Sequence, residues 1–348
     1  MRHFRPVMKF IVCLLLLTVA LAAGWWRGPA VSAAGEAAQN PKSQTPSSSQ
    51  TPAAQEQEPR ETVIIRRVRL PITVVDKKGQ PVEGLTEGDF QIFEDKQPQQ
   101  IESFADESAK QPIYLGVLMD TSASTAGKLK FEQDAAKDFI YTVVRVRKDK
   151  VAFVTFDDDV KLRQDFTDKL DLLNRSIDNV KKPGEHTALY DAIWQFCDEK
   201  MRGAVGRRAL VIITDGEDTY SRATLREAID IAQRTETIIF AISTKAGFSG
   251  TVPGVTAGTV SDKSDRELER LCDETGGKAF FTGDLLALER SFTKIANELR
   301  SQYVVTYKPT NDRYDGQFRR IEVKLASSHN GAKVRARRGY TAVTDSVR

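Results

Sequence analysis

The sequence predicts a doubly wound α/β domain with a mostly parallel sheet, inserted into a small antiparallel β-sandwich. Three observations lead to this prediction. Short, continuous apolar runs in the middle of the chain are separated by segments with helical spacing of apolar residues. Such runs are typical of strands covered on both faces, and strand–helix alternation is typical of parallel sheets. The segments on either side alternate apolar with polar residues, which is the pattern of half-buried antiparallel strands.

Residues 1–33 predict an export signal. Residues 10–23 form an apolar run after a basic start, and Val31-Ser32-Ala33 offers one cleavage site with small residues, Ala20-Leu21-Ala22 being the alternative. The alternative is an uncleaved membrane anchor, although the run is short for a span, which needs ~20 residues. Either way, we expect the folded part to be exported to the periplasm or the extracellular space, and to reach a membrane only through this segment.

Composition limits the classes of partner. Residues 34–61 are rich in Ala, Gln, Ser, Pro and Glu, and they predict a disordered linker because they contain almost nothing large and apolar.

The 348 residues leave room for two domains. The 51 Lys and Arg residues nearly balance the 48 Asp and Glu residues, so no global field indicates a nucleic-acid partner.

The central region alternates strands and helices. Phe131, Ala135 and Phe139 illustrate the helical spacing between the first two strands. The other expected elements are strands at residues 113–119, 151–156, 209–214, 237–243 and 278–283, an antiparallel edge strand starting within 156–162, and a last helix at 286–299.

Two further local signals concern the helix that precedes the strand at 278–283. Ser264 and Glu267 have the spacing of a capping box at its start, and Gly276 is expected to end it. Cys197 and Cys272 lie at core-facing helical positions and are expected to be buried thiols, the alternative being a disulfide formed after export.

Oxygen-bearing side chains gather where strands of the predicted sheet end. Asp120 ends the first strand, and Ser122 and Ser124 follow it at alternate positions, whereas Asp215 ends another strand. In doubly wound sheets ligands bind at the carboxyl ends of the strands, where the strand order reverses, and we expect these two strands to be neighbours there. Two carboxylates brought that close repel each other unless a positive charge lies between them.

This pattern resembles the metal-ion-dependent adhesion site of von Willebrand factor type A domains, whose sequence elements appear here in order as Asp120-x-Ser122-x-Ser124, Thr187 and Asp215. The resemblance implies that Ser122, Ser124 and Thr187 provide hydroxyl ligands. It also implies that Asp120 and Asp215 act directly or through waters, and that one coordination place stays open for a carboxylate of a partner protein.

The donor types indicate which metal the site binds. Hydroxyl, carboxylate and water oxygens suit a hard cation, and so few carboxylates suit Mg²⁺ or Mn²⁺ better than Ca²⁺. The alternatives are local. In the alternative interpretation, the side chain of Ser122 or Ser124 only caps the helix that follows, and Asp215 is only a turn residue before glycine.

The two flanks are expected to form one β-sandwich. Residues 62–109 and 301–343 each contain too few strands for a stable core, so we expect them to pair around an inserted domain at 110–300, the part that the resemblance covers. Their segments "DKKGQPVEGLTEGDFQIFEDKQPQ" and "YVVTYKP…RRGY" are similar to those of a bacterial subfamily of exported proteins with this domain.

Two charged runs have a structural and a functional interpretation. The basic residues within 333–338 are expected to form the solvated face of a strand, the alternative being a polyanion site. The acidic triplet Asp157-Asp158-Asp159 is expected to form a solvated turn, the alternative being a second cation site.

Three functions are compatible with the sequence. The expected one is a non-catalytic adhesion or assembly protein that binds an acidic side chain of a protein ligand through the metal, with the long loop at residues 246–262 setting specificity. The second is a hydrolase that uses Ser122, His186 and Asp215, although no G-x-S-x-G motif is present. The third is a purely structural metal site.

Overall fold

The computed structural model describes residues 67–106, 111–181, 183–214, 217–245, 262–281, 285–326 and 331–343. Residues 62–348 form one compact unit. The predicted export signal, the linker, Asp215 and nearly all of the loop at 246–262 lie outside the described residues. In the part that is described, no helix is long and apolar enough to cross a membrane.

The described residues contain fourteen strands and six α-helices. The strands β1 to β14 are, in order, Val68–Val75, Phe90–Glu94, Gln97–Gln99, Ile101–Asp106, Ile113–Asp120, Lys150–Phe156, Val160–Thr167, Arg207–Thr214, Thr237–Ser243, Ala279–Phe281, Gln302–Tyr307, Phe318–Leu325, Lys333–Arg335 and Gly339–Thr341. The helices α1 to α6 are Leu129–Val143, Leu170–Asp178, Leu189–Phe196, Leu225–Arg234, Lys263–Thr275 and Leu285–Arg300.

The central sheet has the strand order β10-β9-β8-β5-β6-β7. All neighbouring pairs are parallel except β6 and β7, so β7 is the antiparallel edge strand that the sequence predicted. The strand order reverses at β5, which lies between β8 and β6. The doubly wound prediction is therefore confirmed, and the ends of β5 and β8 lie side by side at the reversal, where such sheets bind ligands.

Apolar layers cover both faces of this sheet. Because side chains alternate along a strand, Val117 of β5 joins the layer formed with α1, α2 and α6, whereas Leu118 joins the layer formed with α3, α4 and α5. Cys197 and Cys272 lie in the second layer as free, buried thiols, as expected. Burial raises the pKa of Cys197 to about 12, so its thiolate is scarce at neutral pH.

The start of α5 differs from the prediction. Its N-cap is Asp262, whose carboxylate accepts a hydrogen bond from the backbone N–H of Asp265 at 3.0 Å. Ser264 already lies inside the helix and donates its hydroxyl to Asp262 at 2.8 Å, so the capping box predicted at Ser264 is wrong. Gly276 ends the helix with φ of 91°, in the left-handed region that glycine adopts without steric cost.

Strands from both flanks build the sandwich. Its two antiparallel sheets have the orders β13-β1-β11-β4 and β14-β12-β2-β3, so each sheet mixes strands from before and after the central domain. In the first, Leu70 of β1 pairs with Val305 of β11. In the second, Ile92 of β2 pairs with Val323 of β12. Because both sheets share one apolar cluster, neither flank can bury its core residues alone.

The basic run at residues 333–338 forms the expected solvated face only in part, since Lys333 and Arg338 are exposed but Arg335 and Arg337 are not. Arg337 is almost fully buried and donates to the carbonyl oxygens of Gln233 and Arg69, whereas Arg335 donates to the buried carboxylate of Glu298 at 2.5 Å. These arginines do not form a solvated face. They join the sandwich to α4 and α6 of the central domain, because their long side chains reach acceptors that are distant in sequence.

Candidate metal-ion site

Asp120 is held by hydrogen bonds at the point where the strand order reverses. It is the last residue of β5, and its side chain is fully buried. One carboxylate oxygen accepts the backbone N–H of Ser122 at 2.9 Å, and the other accepts the hydroxyl of Thr214, the last residue of β8, at 2.6 Å. The neighbouring strand therefore fixes the orientation of the carboxylate.

Ser122 places its hydroxyl beside that of Ser124, at an oxygen–oxygen distance of 3.0 Å. Ser122 occupies the N-cap position of the 3₁₀ helix Ala123–Lys128, yet its side chain makes no capping hydrogen bond. The backbone carbonyl of Ser122 instead accepts both the N–H and the hydroxyl of Thr125. The capping alternative is therefore not realised for the Ser122 side chain, and its buried hydroxyl is directed toward a second hydroxyl.

Thr187 lies in the loop before α3 and is buried. Its backbone N–H donates to the hydroxyl of Thr219 at 3.0 Å, and its carbonyl accepts the N–H groups of Thr219 and Tyr220, each at 3.0 Å. These bonds fix the Thr187 loop to the segment that follows β8. That segment begins with Asp215, which lies outside the described residues.

The first residue of the acidic triplet connects this loop to the end of β5. Asp157 is buried, accepts the hydroxyl of Thr121 at 2.9 Å and pairs with Lys161 at 3.1 Å. The N–H of Gly184 donates to the carbonyl of Thr121 at 2.8 Å, so the Thr187 loop is tied to the residue between Asp120 and Ser122. Gly184 is required here, since a Cβ would lie 2.5 Å from the Cβ of Asp157.

Asp158 holds the tip of the same loop. Its carboxylate accepts the backbone N–H groups of Glu185 and His186, each at 3.0 Å, and approaches His186 Nδ1 at 2.6 Å. The bond from Glu185 and those from His186 hold the pKa of Asp158 below its usual value, so the carboxylate is ionised at neutral pH. The expected solvated turn is therefore a support for the Thr187 loop, a role that the sequence reasoning missed.

We expect Asp158→Ala to weaken metal binding about tenfold without unfolding the protein, because groups that orient ligands typically affect affinity by 10- to 100-fold. Asp159→Ala is the matched control, since Asp159 is exposed in the same turn. Titration calorimetry with Mn²⁺ measures both affinities. Equal losses in the two variants would show a general charge effect and contradict the positioning role.

The structure brings three of the predicted residues into one bonded group. Asp120, Ser122 and Ser124 are linked directly, and Thr187 is linked to them through its loop. Within the described residues, no group of three or more His, Cys, Asp or Glu side chains is placed to hold a metal. The donor set at the end of β5 is instead made mostly of hydroxyls.

The bonding of His186 bears on the hydrolase hypothesis. His186 Nδ1 is paired with Asp158, and its ring stacks on Tyr220 with a centroid distance of 4.7 Å. Ser122 bonds to Ser124. In the described part of the chain, no hydrogen bond joins Ser122 to His186, so the serine–histidine contact of a hydrolase is not formed.

The comparison with protein families agrees with this arrangement. Residues 115–294, which are more than half of the chain, match the family model of the von Willebrand factor type A domain. The chain belongs to the von Willebrand factor type A (VWA) family. Its VWA domain therefore contains the whole described donor set.

Several solved structures are similar to this VWA protein. One is an aerotolerance-related membrane protein from Bacteroides fragilis NCTC 9343 with multiple mutations to serines (17% identity, TM-score 0.41, 54% of this chain and 98% of that chain). Another is proximal thread matrix protein 1 from the mussel byssus (16% identity, TM-score 0.46, 60% of this chain and 51% of that chain). A third is the PilB minor pilin from Streptococcus sanguinis (13% identity, TM-score 0.41, 56% of this chain and 62% of that chain). A further structure of the mussel protein has zinc in its metal-ion-dependent adhesion site (MIDAS) motif. No curated protein matches the chain.

The described donors fit a hard divalent cation. A buried carboxylate and two adjacent hydroxyls are oxygen ligands, which suit Mg²⁺ or Mn²⁺. Because the carboxylate of Asp120 also accepts two hydrogen bonds from the protein, its position is set before any ion arrives. Preorganised ligands of this kind reduce the ordering cost of binding.

Proposed function

We propose that this VWA protein is exported, is not an enzyme, and binds a protein ligand through a divalent metal ion in adhesion or assembly. The residues that would hold the ion are Asp120, Ser122, Ser124, Thr187 and Asp215. The observation that carries the proposal is the buried Ser122 hydroxyl, which makes no capping bond and lies 3.0 Å from the Ser124 hydroxyl.

Charge supports a role in binding a partner. Three of the five ligands are neutral hydroxyls, and two carboxylates carry no more negative charge than a divalent cation brings. Such an ion, when bound, supplies an electrophilic centre that attracts an outside carboxylate. A Glu or Asp side chain of the partner is the ligand that this chemistry selects, and charge-assisted contacts of this type are strong.

The surface around Thr187 offers contacts for specificity. Tyr220 is 55% exposed, and His186 stacks on it at the edge of the loop that Asp158 supports. Tyrosine is enriched at protein interfaces because its ring buries apolar area while its hydroxyl remains available for hydrogen bonds. We propose that this aromatic pair and the loop at 246–262 surround the partner's acidic side chain.

The test is capture of partner proteins from an extract of exported proteins on the immobilised protein. We expect binding in Mg²⁺ or Mn²⁺, release by chelator, and recovery when the metal is restored. Thr187→Ala should lose binding without unfolding. Thr293→Ala is the matched control, because it makes the same change at an exposed position of α6.

Two outcomes would contradict the proposal. A partner that stays bound in excess chelator would not be bridged by metal. Equal capture by Thr187→Ala and Thr293→Ala would show that the hydroxyl of Thr187 has no part in binding.

A further inference from the structure

A cleft rich in lysine lies where the VWA domain meets the sandwich. It has a volume of about 200 Å³. Its basic side chains come from the turn after β1, the residue before β10, α6 and β13. They are Lys77, Lys78, Lys278, Lys294, Lys333 and Arg335. We call this group the lysine cleft.

The positive charge of the lysine cleft is only partly neutralised. Its two carboxylates belong to Asp76 and Glu298. Glu298 pairs with Arg335, and Asp76 accepts the backbone N–H groups of Lys78 and Gln80. Among the residues that the structure describes, none of the five lysines has a carboxylate within ion-pair distance, whereas lysines elsewhere, such as Lys137, do.

Lys278 lines the lysine cleft directly before β10. Its side chain is half-buried, and its ammonium lies 5.1 Å from the centre of the Phe280 ring. Burial lowers the pKa of Lys278, and the charges of Arg335, Lys294 and Lys333 lower it further, although Glu298 offsets part of this effect. Like charges held together in this way favour the binding of an anion that lies between them.

We propose that the lysine cleft binds a phosphate-bearing ligand, with Lys278, Lys294 and Lys333 contacting the phosphate. A phosphate group carries about two negative charges and three strong acceptor oxygens, so it can contact several ammonium groups at once. Lysine binds phosphate as a point charge. The one arginine of the cleft, Arg335, already donates through one of its guanidinium nitrogens to the carboxylate of Glu298.

Such a ligand would bridge the two parts of the molecule. Lys278 and Lys294 belong to the VWA domain, whereas Lys333 belongs to the sandwich. Binding should therefore raise the melting temperature by mass action. This site is independent of the metal proposal, because none of its residues is among the proposed metal ligands.

Pyrophosphate titration of the protein in excess chelator tests the proposal, since chelator prevents phosphate from binding through a metal ion. We expect saturable binding that weakens with salt. Lys278→Gln and Lys333→Gln should each lower the affinity at least tenfold. Lys263→Gln is the matched control, because Lys263 is exposed and lies about 18 Å from the end of α5 nearest the cleft, at 1.5 Å per residue.

Melting curves without anion test whether the variants still fold. Without anion, Lys278→Gln should melt no lower than the unsubstituted protein, because the change relieves crowding of like charges. Vesicles of phosphatidylcholine with and without phosphatidic acid distinguish a lipid phosphate from a soluble one. A lipid source requires that vesicle binding, as well as pyrophosphate binding, falls in Lys278→Gln.

Three results would overturn the proposal. The first is no pyrophosphate binding at low salt. The second is equal binding by the cleft variants and Lys263→Gln. The third is tighter binding of citrate than of pyrophosphate, which would assign the cleft to carboxylates.

Discussion

Removing residues 302–348 should unfold the sandwich strands of residues 67–106 while the VWA sheet remains folded. The deletion takes away β11, which pairs with both β1 and β4, and β12, which pairs with β2. It also removes six buried members of the shared apolar cluster: Tyr303, Val305, Tyr307, Ile321, Tyr340 and Ala342. At about 1.5–3 kcal/mol for each large side chain, this loss is comparable to the whole stability of a typical domain.

Limited proteolysis with peptide mapping measures this effect. Residues 67–106 should be cleaved in the deleted protein and protected in the full chain, whereas cleavage within β5 to β9 should stay slow in both. The VWA sheet is expected to persist because its two apolar layers share no buried residue with the sandwich cluster. Continued protection of residues 67–106 would mean that the N-terminal flank folds alone, contrary to the strand pairing.

The second large effect concerns Asp120. We expect Mg²⁺ at 100 times its Kd to stabilise the protein by about 2.7 kcal/mol, which is roughly 5–10 °C in Tm for a folded unit of this size. Asp120→Asn should abolish this shift. Asparagine keeps the size of the side chain and an oxygen that accepts the Ser122 N–H, so the loss reports the missing charge rather than a cavity.

Asp134→Asn is the control for Asp120→Asn. Asp134 lies on α1, is about half exposed and pairs with Lys130 and Lys137, so its replacement removes a charge away from the site. Melting curves with and without Mg²⁺ should show the full shift for this control. If Mg²⁺ raises the Tm of Asp120→Asn as much as that of the unsubstituted protein, Asp120 is not a metal ligand.

The sheet and the position of the site were predictable because their signals are local. A continuous apolar run indicates burial on both faces, and the residue that ends the run must lie at the carboxyl end of its strand. Asp120 could therefore be placed beside the end of β8 before any coordinates were known. The apolar residues at alternate positions of β1 and β11 likewise predicted sandwich strands, because these residues form the face that lies in the shared core.

Other features depend on partners that are distant in sequence. An acidic turn has the same sequence pattern whether its carboxylates are solvated or accept hydrogen bonds from a distant loop. The carboxylate of Asp158 accepts the N–H of Glu185, 27 residues away. Arg337 similarly reaches the carbonyl of Gln233, 104 residues away, which no local pattern reveals. The edge strand β4 has no fully buried residue, and its sequence shows no apolar alternation that would predict it.

Electron paramagnetic resonance of Mn²⁺ tests the central claim most directly, because the signal of the free ion counts the ions that the protein takes up. We expect one Mn²⁺ bound per chain, displaced by Mg²⁺, with binding lost in Ser122→Ala and in Thr187→Ala but kept in Thr293→Ala. If the protein takes up no Mn²⁺, or if both site variants bind it as tightly as the unsubstituted protein, the hydroxyls at the end of β5 and before α3 do not hold a metal ion.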